Sequence, residues 1–274
     1  MPESVSPLAI GASTMTVGGV LLFLISARSA ITAIRDAASR RWLLVGAIGV
    51  FVYPLAFYLS MDLAGVAIGN VVSLGTGPVF AAILEWVVER RRLSRLWLLC
   101  TGFAIAGVVL LALGGHGTAT AESANVLPGI LFGVLAGFAY ALYTYASSRA
   151  IRTGHPSGAV MGGMFGLGAI ALLPVLLLLG APLLQSPTSL GIAAYLALGP
   201  MFVAYILFGR GMRTLRSSTA TTITLLEPFV ATVLAILIVG ERLEPVGWAG
   251  LALILVAVTV LSTARQPRQK GDAP

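Results

Sequence analysis

The chain has 274 residues, of which 58% are hydrophobic and 10% charged, and its mean hydropathy is +0.97. Soluble domains carry about 25% charged residues, so this composition excludes a water-soluble globular protein and implies a polytopic membrane protein. The single cysteine, Cys100, excludes an intrachain disulfide or a cysteine zinc site. The net charge of +7 is spread over several loops, with no nucleic-acid motif and no single basic face, which argues against a nucleic-acid partner.

Apolar stretches that can cross a bilayer as helices, about 20 residues each, recur along the chain. The first, Leu8–Ala27, follows a short segment without Lys or Arg and has no cleavage site after it, so it reads as a span and not as a removable signal peptide. Trp42–Ser60 and Val66–Val88 come next, joined by a tight turn with Asp62. Leu96–Leu113 contains Cys100, and a Gly-rich loop with His116 leads to Val126–Ser147. Ala159–Leu179, Leu190–Phe208, Thr219–Val239 and Val246–Leu261 complete nine predicted spans. Lipid offers no partner to free backbone groups, and the alternating pattern of a barrel is absent, so the spans are helices. Trp42, Trp97 and Trp248 begin spans and suit interfacial anchoring.

The loops set the orientation. Sixteen of the seventeen basic residues fall on one set of loops, from Arg28 to Arg41, Arg90 to Arg95, Arg149 and Arg152, Arg210 to Arg216, and Arg265 to Lys270; the other set holds Arg242 alone. Cytoplasmic loops collect Lys and Arg. The expectation is therefore a cytoplasmic C-terminus and an N-terminus outside, in a bacterial cytoplasmic membrane.

A shift of 150 residues brings two parts of the chain into step. Pro78 pairs with Pro228, Ala81 with Ala231, Gly49 with Gly199, and Arg92–Leu93 with Arg242–Leu243. The shift spans five helices, an odd number, so the second copy is inverted. The copies are predicted at 1–118 and 119–264, with a basic tail at 265–274. Four spans find partners; Val126–Ser147 does not. Its counterpart would lie before Met1, either lost or encoded upstream, and the upstream start is favoured. Inverted repeats mark many secondary transporters, whose substrate site lies between the halves.

With these repeats, with Gly75-Thr76-Gly77-Pro78-Val79-Phe80 and its later copy Leu225-Leu226-Glu227-Pro228-Phe229-Val230, and with Gly240-Glu241-Arg242-Leu243, the chain resembles the EamA-like family of the drug/metabolite transporter superfamily. The resemblance implies a basket of ten helices around a central cavity, here lacking the first, and transport of small polar metabolites, amino acids or drugs. The chain departs from the pattern in having Gly77 where the second copy has Glu227.

Glu227 is the sharpest polar signal, a carboxylate well inside an apolar span. Such residues usually face a cavity and act there, and this one is suited to carrying a proton. Pro228 and Pro78 each free a backbone carbonyl and predict bent helices. Asn70, Ser73 and Thr76 recur at helical spacing, as do Thr221 and Thr224 on the inverted partner, and Tyr140 and Tyr143 share a face. These are the candidate substrate or ion contacts, since pockets are mostly apolar with a few placed polar groups. Tyr53, Tyr58 and Tyr205 add hydroxyls. Glu85, near the cytoplasmic end of its span, is expected to reach the headgroups or pair with Arg90–Arg92. Ladders of small residues at Gly65, Gly69, Ser73 and Gly77, at Gly129, Gly133 and Gly137, and at Gly158, Gly162 and Gly166 are expected to pack helices within the chain. Two distant histidines make no metal site, and no cofactor is expected. The leading function is a secondary transporter of a small molecule, exporting it by alternating access with protons as a coupling ion. The rivals are an intramembrane enzyme, for which no His-Glu-x-x-His or Gly-x-Ser-x-Gly is present, and a lipid-handling or structural membrane protein. No Gly-x4-Gly-Lys-Ser/Thr loop is present for direct drive by ATP.

Overall fold

The computed structural model describes residues 5–90, 93–114, 126–239 and 244–263. Among these residues all regular structure is helical. Eight helices are long and apolar enough to cross a membrane, and a ninth apolar helix is shorter. They are α1 (Pro7–Arg35), α2 (Ala37–Ala64), α3 (Val66–Glu89), α4 (Arg95–Gly114), α5 (Val126–Ile151), α6 (Ser157–Leu179), α7 (Pro187–Gly211), α8 (Ser217–Ile238) and α9 (Pro245–Thr263). Each coincides with one predicted span. The basic tail and the Gly240–Leu243 motif lie outside the described residues.

Local chemistry sets the ends. Ser6 caps α1, its hydroxyl accepting from Ala9 N at 3.2 Å, with Pro7 in the first turn. α1 runs past the apolar stretch to Arg35, where extended Asp36 stops it and caps α2 by accepting from the N–H groups of Ala38 and Ser39, both at 3.2 Å. α2 and α3 are joined by Gly65 alone, at φ 87°, a conformation glycine adopts without steric cost.

The two proline-bearing repeat partners behave differently. α3 passes Pro78 without interruption. α8 breaks into Ser217–Ile223 and Leu226–Leu234. The ring of Pro228 clashes with the carbonyl four residues back, that of Thr224, and Thr224–Leu225 is where the helix gives way to a turn. α7 likewise passes into a π-turn at Ala197–Val203, beginning next to Leu196, four residues before Pro200.

The helices form two compact units, interleaved with the sequence repeats and not coincident with them. One holds α1–α3, α5–α7 and the first turn of α8; the other holds α4, the rest of α8 and α9. In the first, α1 packs on α6 and α2 on α5, with α3 also against α5. Its core includes Leu22, Leu43, Tyr143, Met161, Met164 and Phe165. In the second, α4 packs on α9. Both α1/α6 and α4/α9 are partners under the 150-residue shift, so in each unit repeat counterparts lie against each other.

Glycine makes these contacts close. A Cβ on Gly162 would lie 2.6 Å from Leu22 O, and one on Gly250 the same distance from Gly107 O. The Gly129–Gly133–Gly137 ladder seats α5 on Ala64, Ser60 and Ser73, so it packs helices inside the chain as expected. Gly158 of the third ladder has no neighbour within 4 Å.

The repeat partners α2 and α7 differ in cover. Of their most apolar windows, 44% of α2 is buried and 11% of α7. On α2, a Cβ at Gly49 would meet Ala139 O at 2.7 Å and Tyr143 N at 3.0 Å; at its counterpart Gly199 the nearest atom is Tyr195 Cε2 at 3.8 Å. Gly49→Ala is expected to cost about 1–3 kcal/mol, because the contacting atoms are backbone and cannot turn aside. Gly199→Ala should be neutral or stabilising by up to about 1 kcal/mol, since helical alanine loses less chain entropy than glycine. Thermal unfolding of the two variants in detergent checks the contrast.

Candidate functional site

The six-helix unit has two chemically different ends. One gathers the end of α1, the starts of α2, α6 and α8, and the ends of α3 and α5, and it carries the arginines. Glu89, the last residue of α3, accepts from Arg149 Nη1 at 3.3 Å, Arg152 Nη1 at 3.4 Å and the Tyr145 hydroxyl at 3.3 Å. The Arg149 guanidinium lies 5.1 Å over the Trp42 ring, and Tyr145 meets that ring edge-on at 6.0 Å. Trp42 thus anchors through cation–π and aromatic contacts in addition to its position in the span.

Glu85, one turn before Glu89, is 5% exposed. It accepts from Ser217 Oγ at 2.6 Å, Ser218 N at 3.0 Å and Ser218 Oγ at 2.8 Å. The hydroxyls and backbone at the start of α8 hold this carboxylate, partners that the expectation of headgroup or Arg90–Arg92 contact did not include. Arg91 and Arg92 themselves lie outside the described residues.

At the opposite end, Ser60 Oγ donates to Gly129 O at 2.7 Å. There a groove of about 460 Å³ runs between α1, α6 and α7, lined by Val17, Leu177, Leu184, Leu190 and Ala194, with Ser13 as a polar lining residue. Ser13 already donates to Ile10 O at 2.9 Å. The groove suits lipid chains better than a polar ligand.

Between the ends sits an aromatic cluster. Tyr140 stacks obliquely on Tyr53 and Tyr143, with centroids 5.8 and 5.3 Å apart. The Tyr143 hydroxyl is hydrogen-bonded to that of Tyr205, whose ring is 4.6 Å from Phe165. Tyr140 and Tyr143 are 6% and 0% exposed, so both are packed into the core, while Tyr53 and Tyr205 are half-buried.

The α3 candidates meet this cluster. Ser73 and Thr76 abut Gly137 of α5, and Tyr140 lies against Gly77. Ser73 is fully buried, and its hydroxyl has no hydrogen-bond partner among the described residues. Thr76 Oγ1 donates to its own helix at Val72 O, 2.7 Å away. Asn70 is half-buried. Thr221 is fully buried, and it too bonds within its helix, to Ser217 O and Ser218 O at 3.0 Å.

In the other unit, Thr224 sits at the break in α8, and its carbonyl accepts from Glu227 N at 2.9 Å. Glu227 begins the second half-helix. It is exposed. Thr222 and Thr101 share a hydrogen bond at 3.0 Å, linking α8 to α4.

The sequence reading missed Glu89, the two serines at the start of α8 and the Thr101–Thr222 pair. Glu89 lay just beyond a predicted span, and its spacing of four from Glu85 was the available signal, since such residues share a helix face.

Among the described residues, nine apolar helices packed through glycine define a multi-pass membrane protein. The sequence model of the EamA-like transporter family matches residues 1–113 and 127–263, and the chain belongs to that family. It is 31% identical over 279 aligned residues to "Uncharacterized transporter YwfM" of Bacillus subtilis, covering 99% of this chain and 90% of the relative. A protein of Clostridium kluyveri, also called an uncharacterized transporter, is 28% identical over 185 residues, 66% of this chain and 58% of that protein. A solved structure, titled only as the crystal structure of a protein, superposes with a TM-score of 0.77 at 19% identity, over 94% of this chain and 88% of that one; it shows the fold alone.

Outside the spans, Asp36 accepts from His155 Nε2 at 3.0 Å. That hydrogen bond, then the one from Ala38 N–H, holds its carboxyl below the ordinary carboxylate value. A depressed folded value stabilises the folded state above the unfolded value and loses that effect as pH falls through the folded one. Asp36→Asn should lower the unfolding temperature at neutral pH. The difference from wild type should shrink below the ordinary carboxylate range, as thermal unfolding across pH will check.

Proposed function

We propose that this chain is a secondary transporter that exports a small polar or amphipathic metabolite, amino acid or drug across the bacterial cytoplasmic membrane by alternating access, with Glu227 as its proton carrier. The observation that carries this reading is the interruption of α8 at Thr224–Leu225 with Glu227 in the turn that follows. Discontinuous membrane helices place substrate and coupling ions near the midplane, and non-helical backbone at membrane depth is tolerated where it lines a cavity or is covered by protein. The exposed Glu227 fits the first case. The substrate would be oriented by half-buried polar groups of the six-helix unit, Asn70 and Thr76 among them, against half-buried Tyr53 and Tyr205. We read the protein as a carrier and not as an enzyme, with the small molecule, protons and the bilayer as its partners.

Glu227→Gln keeps the side-chain shape and removes titration. In proteoliposomes, substrate accumulation driven by a pH gradient should fall to the level of protein-free vesicles, while exchange of substrate across the bilayer persists. Unchanged dependence on the gradient would remove the proton-carrier role.

The arginine-bearing side is the cytoplasmic one on this reading. Reporter fusions at Gly115 and Pro274 should accordingly give opposite signals, the latter cytoplasmic; the same compartment for both would overturn the orientation.

A further inference from the structure

We propose that residues 79–89 of α3 form a gate arm on the arginine-bearing side, hinged at Pro78 and latched to the second repeat by Glu85 and Glu89. The proposal rests on the alternating-access reading for its purpose, though its geometry is independent of it. Up to Gly77, α3 is seated against α5: Ser73 O lies where a Cβ on Gly137 would need to be, 2.8 Å away, and Tyr140 Cδ1 lies 2.8 Å from a Cβ on Gly77. Close contacts of this kind fix the first part of the helix. Pro78 follows at once. It cannot donate to the carbonyl of Leu74, so the helix is weakest in bending there.

Beyond Pro78 the arm keeps a small apolar seat, with Ala81 and Ala82 buried and Phe80 edge-on to Phe138 of α5 at 5.5 Å, while Ile83, Trp86, Val87 and Val88 are exposed. Its polar grip on the second repeat comes from two carboxylates four residues apart, hence on one face. Glu85 holds the start of α8 through Ser217 and Ser218. Glu89 holds the end of α5 through Tyr145, Arg149 and Arg152. The Glu89 side chain is 8% exposed and its two arginines 31% and 34%, so the pair sits at the boundary between packing and solvent.

A latch of this chemistry can open. Separating charges that are nearly buried exchanges their mutual attraction for hydration, two large terms that come close to cancelling. Separating a glycine-backed seam forfeits close dispersion contacts with no such compensation. Glycine-backed contacts below Pro78 and compensated ionic contacts above it divide α3 into a fixed part and a releasable part. Arg149 also lies over the Trp42 ring of α2, so the α5 half of the latch keeps a partner when the arm leaves.

The test uses the full chain with Cys100→Ser and a reporter cysteine, labelled by a membrane-impermeant maleimide from each side of sealed vesicles in turn. The reporter is Ser148→Cys, buried at 4% exposure on α5 between Tyr145 and Arg152; a control reporter is Ser60→Cys, fully buried at the opposite end. Glu89→Gln should raise labelling at position 148 several-fold from the arginine-bearing side, and leave position 60 unchanged. Glu85→Gln should do the same. If Glu89→Gln fails to reach the membrane, Tyr145→Phe removes one latch bond while keeping the ring, and a smaller rise at position 148 is expected. No rise at 148 overturns the latch, and equal rises at both positions overturn it as general loosening. The labelling needs neither substrate nor flux. Loss of the transport reading would leave these outcomes intact, and flux with unchanged labelling would refute the arm alone.

Discussion

No hydrophobic force draws one membrane helix to another, because lipid chains are as apolar as the side chains they would leave. Association depends on dispersion between closely fitted surfaces, and the fit here is made by glycine. Gly162 lets α6 approach the backbone of α1, Gly49 and Gly137 let α5 approach α2 and α3, and Gly107 and Gly250 bring α4 and α9 together. The rest of the structure depends on these approaches. They fix which helices are neighbours, and so where the carboxylates at the end of α3 can find partners.

The fold was largely legible because its determinants are local. Apolar length gives the spans, arginine asymmetry gives their two sides, and the period of small residues gives the packing faces. The break in α8 was legible too, since Pro228 acts on a carbonyl at a known offset. What sequence could not decide is what surrounds a polar residue. Glu85 and Glu227 are both carboxylates inside apolar spans, and periodicity treats them alike. The structure encloses Glu85 among two serines and an N–H group and leaves Glu227 exposed, a difference that depth in the span does not give. The deciding partners lie more than 130 residues from Glu85 in sequence. Tyr140 and Tyr143 show the same gap in another form, because a shared helical face can look toward a cavity or into a core, and only tertiary contacts choose the core.

The two copies of the repeat have diverged at corresponding positions. At Gly77 the absence of a side chain admits Tyr140, and α3 stays continuous through Pro78 into its two carboxylates. At the matching position the second copy has Glu227, and the helix is broken one turn before Pro228. The same proline therefore has two outcomes. Where a partner helix is packed against the preceding turn, the helix stays continuous and the lost hydrogen bond leaves only a point of easier bending. Where a carboxylate replaces that packing, the lost bond opens the backbone and places a charge beside it. A small residue at this position thus keeps a packing seam and a continuous helix, and an acidic one accompanies a broken helix.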